Sequence, residues 1–345
     1  MNIFKNIEKS LIKKHPFVCY RKPNDTVISS FFQNDDNLYL DKNLNSSGFV
    51  FAPFDDKKET IIIPKENSTL LQEFYSGSNI SITKTANSKD YNSKESHVNL
   101  VEKGIHAIRN SKFKKVVLSR KETVNLKDDT NILRLFDTLL NSYQNAFVYV
   151  WFHPKVGLWL GATPETLVKI NDHSFETMSL AGTLPYIENI TPKWTSKEIE
   201  EQQFVTDYII EKLTPLCDTL NANKTETIKA GTLLHLKTKI QGQLAVSHSK
   251  LIKTLHPTPA VCGLPKEASK QFIIENEDYE RSFYTGFLGE LNINKSTELF
   301  VNLRCMEVKS SKAMIYIGGG ITKDSIPERE WEETTEKAMV MKRII

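Results

Sequence analysis

A chain of 345 residues with 39% hydrophobic and 25% charged side chains has material for one large soluble domain or two ordinary ones. Its 45 basic and 42 acidic residues leave a net charge of only +3, which argues against nucleic acid as a partner. The four cysteines, Cys19, Cys217, Cys262 and Cys305, are far apart and form no CxxC, so no zinc or thioredoxin-type motif follows and reduced thiols in a cytoplasm are expected.

The opening MNIFKNIEKSLIKKHPF reads as an amphipathic helix. Charges interrupt it, unlike the core of a signal peptide. No later stretch is long and apolar enough to span a membrane. Short strands are expected at 27–32, 38–40, 48–53 and 60–64, between polar turns. Residues 76–96 are rich in Ser, Asn and Lys and read as an exposed connection between a variable N-terminal part, 1–96, and the main body, 97–345.

Beyond His97 the patterning is denser. Val98, Val101, Ile105 and Ile108 recur at helical spacing, and a strand follows at 113–124. A helix carries Ile132, Leu135, Phe136, Leu139 and Leu140, then strands run over 146–153 and 156–162. Thr163-Pro164-Glu165 has the look of an N-cap, a proline and an early acid, so a short helical turn is expected there. A hairpin joins 167–170 to 174–180. A long helix over 196–213 places Ile199, Val205, Ile209 and Leu213 on its apolar side and ends at Pro215. Further strands are expected at 225–231, 233–244, 284–291, 297–308 and 313–318, with a final helix from Pro327 capped by Ser325. Strands joined by short connections, with helices on their outer faces, make an α+β fold of largely antiparallel sheets.

Several residues are candidates for chemistry. Arg304 stands alone in FVNLRCMEV, and Gly318 to Gly320 close the strand MIYIGGGI, where backbone N–H groups would be exposed. A run of carboxylates between Glu328 and Glu336 follows, with Glu330 and Glu333 on one helical face. GGGI is not GxGxxG, so dinucleotide binding is not expected. Lys115 opens KVVLSR; desolvated, its amine would be a competent base, and Glu165, if enclosed, a general acid. Glu201, with Glu200 as a competitor, could join Glu333 in holding magnesium through oxygen. His235 lies in an alternating strand. The segment HPTPAVCG around Ala260 suits a pocket wall, and Cys262 reads as packing.

KVVLSR, GATPE, SLAGT, KEIEE, HPTPAVCG, YTGFLGEL, VNLRCMEV, IGGGI and EREWEETTEK occur in this order over residues 113–337. This set resembles the chorismate-utilising enzymes and, within them, the isochorismate synthases. The resemblance implies one α+β domain over residues 1–345, built from two large, mostly antiparallel sheets packed together. It implies Lys115 as the base that activates water and Glu165 as the acid for the departing hydroxyl. Glu201 and Glu333, with Glu330 beside them, are implied as ligands of Mg2+, and Lys337 as a basic member of the same cluster. Arg304 and Tyr284 would hold the enolpyruvyl carboxylate. Gly182, Thr183, Gly318 and Gly320 would meet the substrate, with His235 and Ala260 in the pocket.

The implied reaction converts chorismate to isochorismate by addition of water at C2 and loss of the C4 hydroxyl, feeding menaquinone or siderophore synthesis. Lysine at 115 and alanine at 260 point to water rather than ammonia or a lysine nucleophile. Relatives often have histidine after the metal-binding glutamate, where this chain has Gln202. A salicylate synthase, which goes on to eliminate pyruvate, is the alternative reading; a non-catalytic binding protein of the same fold is another. Expected partners are chorismate alone, with neither nucleic acid nor membrane, and a monomeric state.

Overall fold

The computed structural model describes residues 2–77, 91–127, 130–230 and 233–345. The N-terminal part forms α1 (Ile3–Lys13), β1 (Phe17–Arg21), β2 (Val27–Gln33), β3 (Tyr39–Leu40), β4 (Gly48–Ala52), β5 (Ile61–Pro64) and β6 (Ser68–Phe74). Next come α2 (Tyr91–Arg109), β7 (Lys115–Asn125), α3 (Ile132–Ser142), β8 (Phe147–His153), β9 (Gly157–Thr163), β10 (Thr166–Asn171) and β11 (Ser174–Pro185). The middle supplies α4 (Ser196–Leu213), β12 (Cys217–Ala222), β13 (Glu226–Ala230), β14 (Leu233–Leu244), α5 (His248–Leu255), β15 (Gly263–Leu264) and α6 (Lys266–Asn276). The chain ends with β16 (Phe287–Ile293), β17 (Ser296–Val301), β18 (Cys305–Lys309), β19 (Lys312–Ile321) and α7 (Pro327–Lys342).

These strands make two antiparallel sheets. One has nine strands in the order β15-β7-β19-β18-β9-β8-β1-β2-β6. The other has ten in the order β12-β14-β11-β10-β17-β16-β4-β5-β3, with β13 also paired to β14. The first 75 residues therefore feed both sheets. The α+β architecture of two large antiparallel sheets is the one expected.

The sheets meet through an aromatic layer. Phe147 of the nine-stranded sheet stacks on Phe300 of the other, with ring centroids 4.2 Å apart. Phe51 and Phe283 stack at 4.2 Å, and Trp151 and Trp159 pack fully buried beside them. Complete burial of one such ring contributes roughly 1.5–3 kcal/mol. Outside, α1, α3 and α7 pack on the nine-stranded sheet. Helices α4 and α5 cover the ten-stranded one, and α2 and α6 close a further apolar cluster around Val116 and Leu118.

The fold corrects several expectations. The described residues 91–96 belong to α2 rather than to a loop; 78–90 lie outside the described residues, as does Gly231 at the end of the strand expected over 225–231. Strands β1, β6 and β12 carried no alternation distinct enough to stand out: β1 is buried on both faces, and β12 is mostly exposed. Ile199 is 53% exposed, because α4 buries Gln202, Val205, Thr206, Ile209 and Leu213 instead. The residue capping α7 is Ile326, while Ser325 accepts from the Thr322 N–H and closes the preceding turn.

Candidate active site

Two crossovers between the sheets frame the site. Strand β9 belongs to the nine-stranded sheet and β10 to the ten-stranded one, so the chain changes sheet at Pro164 and Glu165. It changes back between β17 and β18, through Asn302 to Arg304. The crossovers lie side by side: the Val301 N–H donates to Glu165 O at 3.0 Å, and the Ala162 N–H to Arg304 O at 3.1 Å. Thr163 Oγ1 donates to Val301 O at 2.6 Å. The expected helical turn at 163–165 therefore does not form, since these backbone groups are used between crossovers. The strand expected over 297–308 is likewise two strands. Arg304 sits in the break with φ at 46°, a left-handed conformation that turns its side chain out of the sheet register. Tyr284, expected to begin a strand, stands in a turn before β16.

Of the candidate residues, all but Lys115, Glu330 and Glu200, the competitor of Glu201, line one cavity of about 100 Å³ between these crossovers, β19 and α4. Gly182 and Thr183 come from an irregularity in β11, where pairing with β14 shifts register between Ala181 and Leu184. Gly182 has φ at 71°, and a Cβ there would lie 3.2 Å from the Glu198 Cβ, so glycine suits both the backbone and the approach of α4.

The cationic side of the cavity is one hydrogen-bonded chain. Arg304 Nη2 lies 2.8 Å from His235 Nε2, and His235 Nδ1 lies 2.9 Å from Gly182 O. A guanidinium can only donate, so Nε2 accepts and the imidazole proton resides on Nδ1. Burial, reinforced by Arg304 and Lys337, holds the His235 pKa down to about 3. Burial also lowers Arg304, to about 10.

Across the cavity Glu165 is 3% exposed, and burial outweighs the nearby cations Lys115, Arg304 and Lys337 to push its pKa to about 8. Such a carboxyl retains its proton at neutral pH. Burial also raises the Tyr284 phenol, which stays protonated.

Gly318 to Gly320 do not close β19; the strand runs on to Ile321, paired to β7 along one edge. Its partner on the other edge, β18, ends opposite Tyr316, so the glycines have no strand there. Lys337 Nζ donates to Gly318 O on that side at 3.2 Å. Lys115 is fully buried, and its Nζ lies 2.9 Å from Glu201 Oε1 on the cavity wall. Burial would raise the Glu201 carboxyl, but Lys115, Lys197 and Lys337 hold it below its ordinary value.

Three carboxylates converge on the glycine strand. Glu201 Oε1 lies 2.5 Å from where a Cβ on Gly320 would stand. Glu333 Oε1 and Glu330 Oε2 lie 3.8 and 3.9 Å from the equivalent point on Gly319. Each is held by a lysine: Glu201 by Lys115, Glu333 by Lys337 at 2.6 Å and Glu330 by Lys197 at 2.7 Å. Burial and the neighbouring Glu333 raise the Glu330 carboxyl, as expected where like charges share a confined space. Among the described residues no three acidic or metal-ligating side chains yet meet at one point. The set is all oxygen, which fits a hard divalent cation.

Residues 47–345 match the family of chorismate binding enzymes. The chain belongs to that family. It is 29% identical over 314 residues to the isochorismate synthase DhbC of Bacillus subtilis, covering 85% of this chain and 79% of the relative. A crystal structure assigned as a 2,3-dihydroxybenzoate-specific isochorismate synthase of Bacillus anthracis superposes with a TM-score of 0.81. That pair shares 25% identity and covers 98% of both chains. The menaquinone-specific isochorismate synthase MenF of Escherichia coli shares the fold, with a TM-score of 0.78 at 20% identity over 95% of this chain and 88% of that one. No helix among the described residues is long and apolar enough to cross a membrane.

Sequence reasoning missed Lys197, although it begins the motif KEIEE and pairs with a carboxylate it had singled out. It also missed Arg281, which is 3% exposed and donates to Val117 O at 2.6 Å and Val261 O at 3.0 Å. Both acceptor residues line the cavity. Glu277 clamps this guanidinium through both carboxylate oxygens, at 2.5 and 2.8 Å. A pairing at i, i+4 was the available signal. Cys262 is fully buried and its pKa is pushed up to about 12 by burial, which agrees with a packing role.

Proposed function

We propose that this chorismate-binding enzyme isomerises chorismate to isochorismate. The observation that carries the reading is a carboxyl kept protonated by burial, Glu165, in a cavity whose other walls offer Arg304, Lys337 and a glycine edge. That pairing of an acid with anion-binding groups suits a dianionic substrate losing a hydroxyl.

In this reading Arg304, oriented by His235, binds the enolpyruvyl carboxylate together with the Tyr284 phenol. Backbone groups at Gly182, Gly318 and Gly320 and the Thr183 hydroxyl orient the ring. Lys115, once it has released the proton it carries in the ion pair with Glu201, takes a proton from the water that forms the new C2–O bond. The ring double bonds shift, the C4–O bond breaks, and Glu165 delivers its proton to the departing oxygen, which leaves as water. Ala260, small and without a nucleophile, leaves room for water on the wall. Mg2+ is the divalent ion proposed, with Glu201, Glu330 and Glu333 to hold it; when bound, it would withdraw electron density from the ring carboxylate. The lysines now on those carboxylates mark positions that require positive charge.

The test is purified protein with chorismate, with and without magnesium, and products separated by chromatography. Isochorismate approaching equilibrium with chorismate, only with magnesium, is the expected result. Salicylate and free pyruvate as major products would replace the proposal with a salicylate synthase. No turnover by folded protein would refute it.

A further inference from the structure

Glu201 lines two cavities. One is the 100 Å³ pocket described above; the other, of about 660 Å³, is lined by Lys197, Glu200, Glu201 and Phe204 of α4. The larger one lies between the end of α2, the turn leading into β7, α4 and the turn after β19. Its floor is apolar, with Ile108, Phe113, Phe204 and Pro265. Its rim carries Arg109, Lys112, Lys114 and Lys323. Among the described residues none of these four has a carboxylate within ion-pair distance, whereas Lys197 in the same wall is held by Glu330. Glu200 and Asp324 also line it, so the cations exceed the acids even with Glu201 counted.

We propose that this second cavity is the vestibule through which the dianionic substrate approaches, and that Lys112, Lys114 and Lys323 steer it. The inference rests on the chorismate reading and adds a route to it. A concave cationic rim over low-dielectric walls concentrates field lines and raises the local concentration of an anion. The apolar floor suits the face of a carbocyclic ring. Its inner wall is Glu201, whose partner Lys115 stands at the reaction centre. The three lysines are exposed and make no ion pair, so reversing their charge leaves core packing untouched.

The experiment compares the wild type with the triple variant K112E/K114E/K323E, and with a control triple, K5E/K9E/K309E. The control makes the same change in net charge on exposed positions away from the cavity. The kcat/KM for chorismate is measured against ionic strength, and chorismate binding is followed by calorimetry at low and high salt. The expected result is a fall in kcat/KM on the order of tenfold or more at low salt, kcat within about twofold of wild type, and a flattened salt dependence. The control should match the wild type. Unchanged kcat/KM and salt slope in the vestibule triple would overturn the proposal. An equal fall in kcat would also overturn it, because it would place the lysines on the reacting substrate. If the wild type turns over no chorismate, the proposed activity fails separately. Calorimetry then decides the vestibule, and binding insensitive to the three charges, or absent, rejects it.

Discussion

The His235 imidazole is fixed between Arg304 and the Gly182 carbonyl, accepting from the first at 2.8 Å and donating to the second at 2.9 Å. One neutral ring thus orients the arginine from one crossover against the β11 irregularity that carries Gly182 and Thr183. The proposed anion-binding wall depends on that ring remaining unprotonated, because a second proton would set two cations against each other.

Replacing His235 with alanine is therefore expected to release Arg304 and raise KM more than it lowers kcat. The loss should correspond to one hydrogen bond to a charged group, on the order of 1.5–3 kcal/mol in kcat/KM. His235 also makes the fold acid-sensitive. Its pKa of about 3 lies below its ordinary value of 6.5, so in that interval the unfolded chain binds a proton that the folded chain does not. Stability should fall as pH drops from 6.5 towards 3, and less steeply in His235→Asn. Denaturant melts at a series of pH values would show parallel curves if the argument is wrong.

Glu165 has the opposite sign. Its folded pKa of about 8 lies above its ordinary 4.5, so the folded chain holds a proton that the unfolded chain has lost. Stability declines as pH rises from 4.5 to 8. Glu165→Gln should be more stable than the wild type at pH 8, by on the order of a few kcal/mol. Its kcat should fall by roughly 10²- to 10⁴-fold. Wild-type activity should decline above about pH 8 as the proton is lost, and that limb should vanish in the variant. A variant with wild-type kcat would remove Glu165 from the mechanism.

Lys115 and Glu201 form an ion pair in which the lysine is completely buried. Lys115→Ala leaves Glu201 without this partner and should cost stability as well as activity, on the order of 3–5 kcal/mol. The double variant Lys115→Met with Glu201→Gln should recover most of the stability and none of the turnover. Isochorismate formation at the wild-type rate by Lys115→Ala would dismiss it as the base.

Glu333 is part-exposed and paired with Lys337 one helical turn on, so its removal should leave the fold intact. Glu333→Ala is predicted to bind magnesium at least about tenfold more weakly by calorimetry. Its activity should be lost at limiting magnesium. Equal activity there would argue against a ligand role.

Much of the site could be read from the chain in order. The glycine strand, the carboxylates of α7 and the motif around Glu201 all lie within single elements, where spacing alone decides which residues share a face. Glu165 and Arg304 could be named but not placed. The TPE segment satisfies the local rules for a helix start, yet its backbone groups bond to the neighbouring crossover, a contact more than a hundred residues distant in sequence. The 297–308 run, TELFVNLRCMEV, mixes apolar and polar residues along its whole length, and local pattern does not reveal that it changes sheet in the middle. Ile199 was misassigned because periodicity identifies an apolar stripe without showing how far the covering strands extend.

The sequence by itself determined that the chain folds as antiparallel sheets under helices and which residue types it brings to bear on an anion. Those properties follow from local periodicity and side-chain chemistry. Only the tertiary structure decided that Glu165 is protonated, that His235 is neutral with its proton on Nδ1, and that each acidic residue of the proposed cation site is held by a lysine. These properties arise from desolvation and from charges contributed by distant segments, and they come into being when the two sheets close on one another.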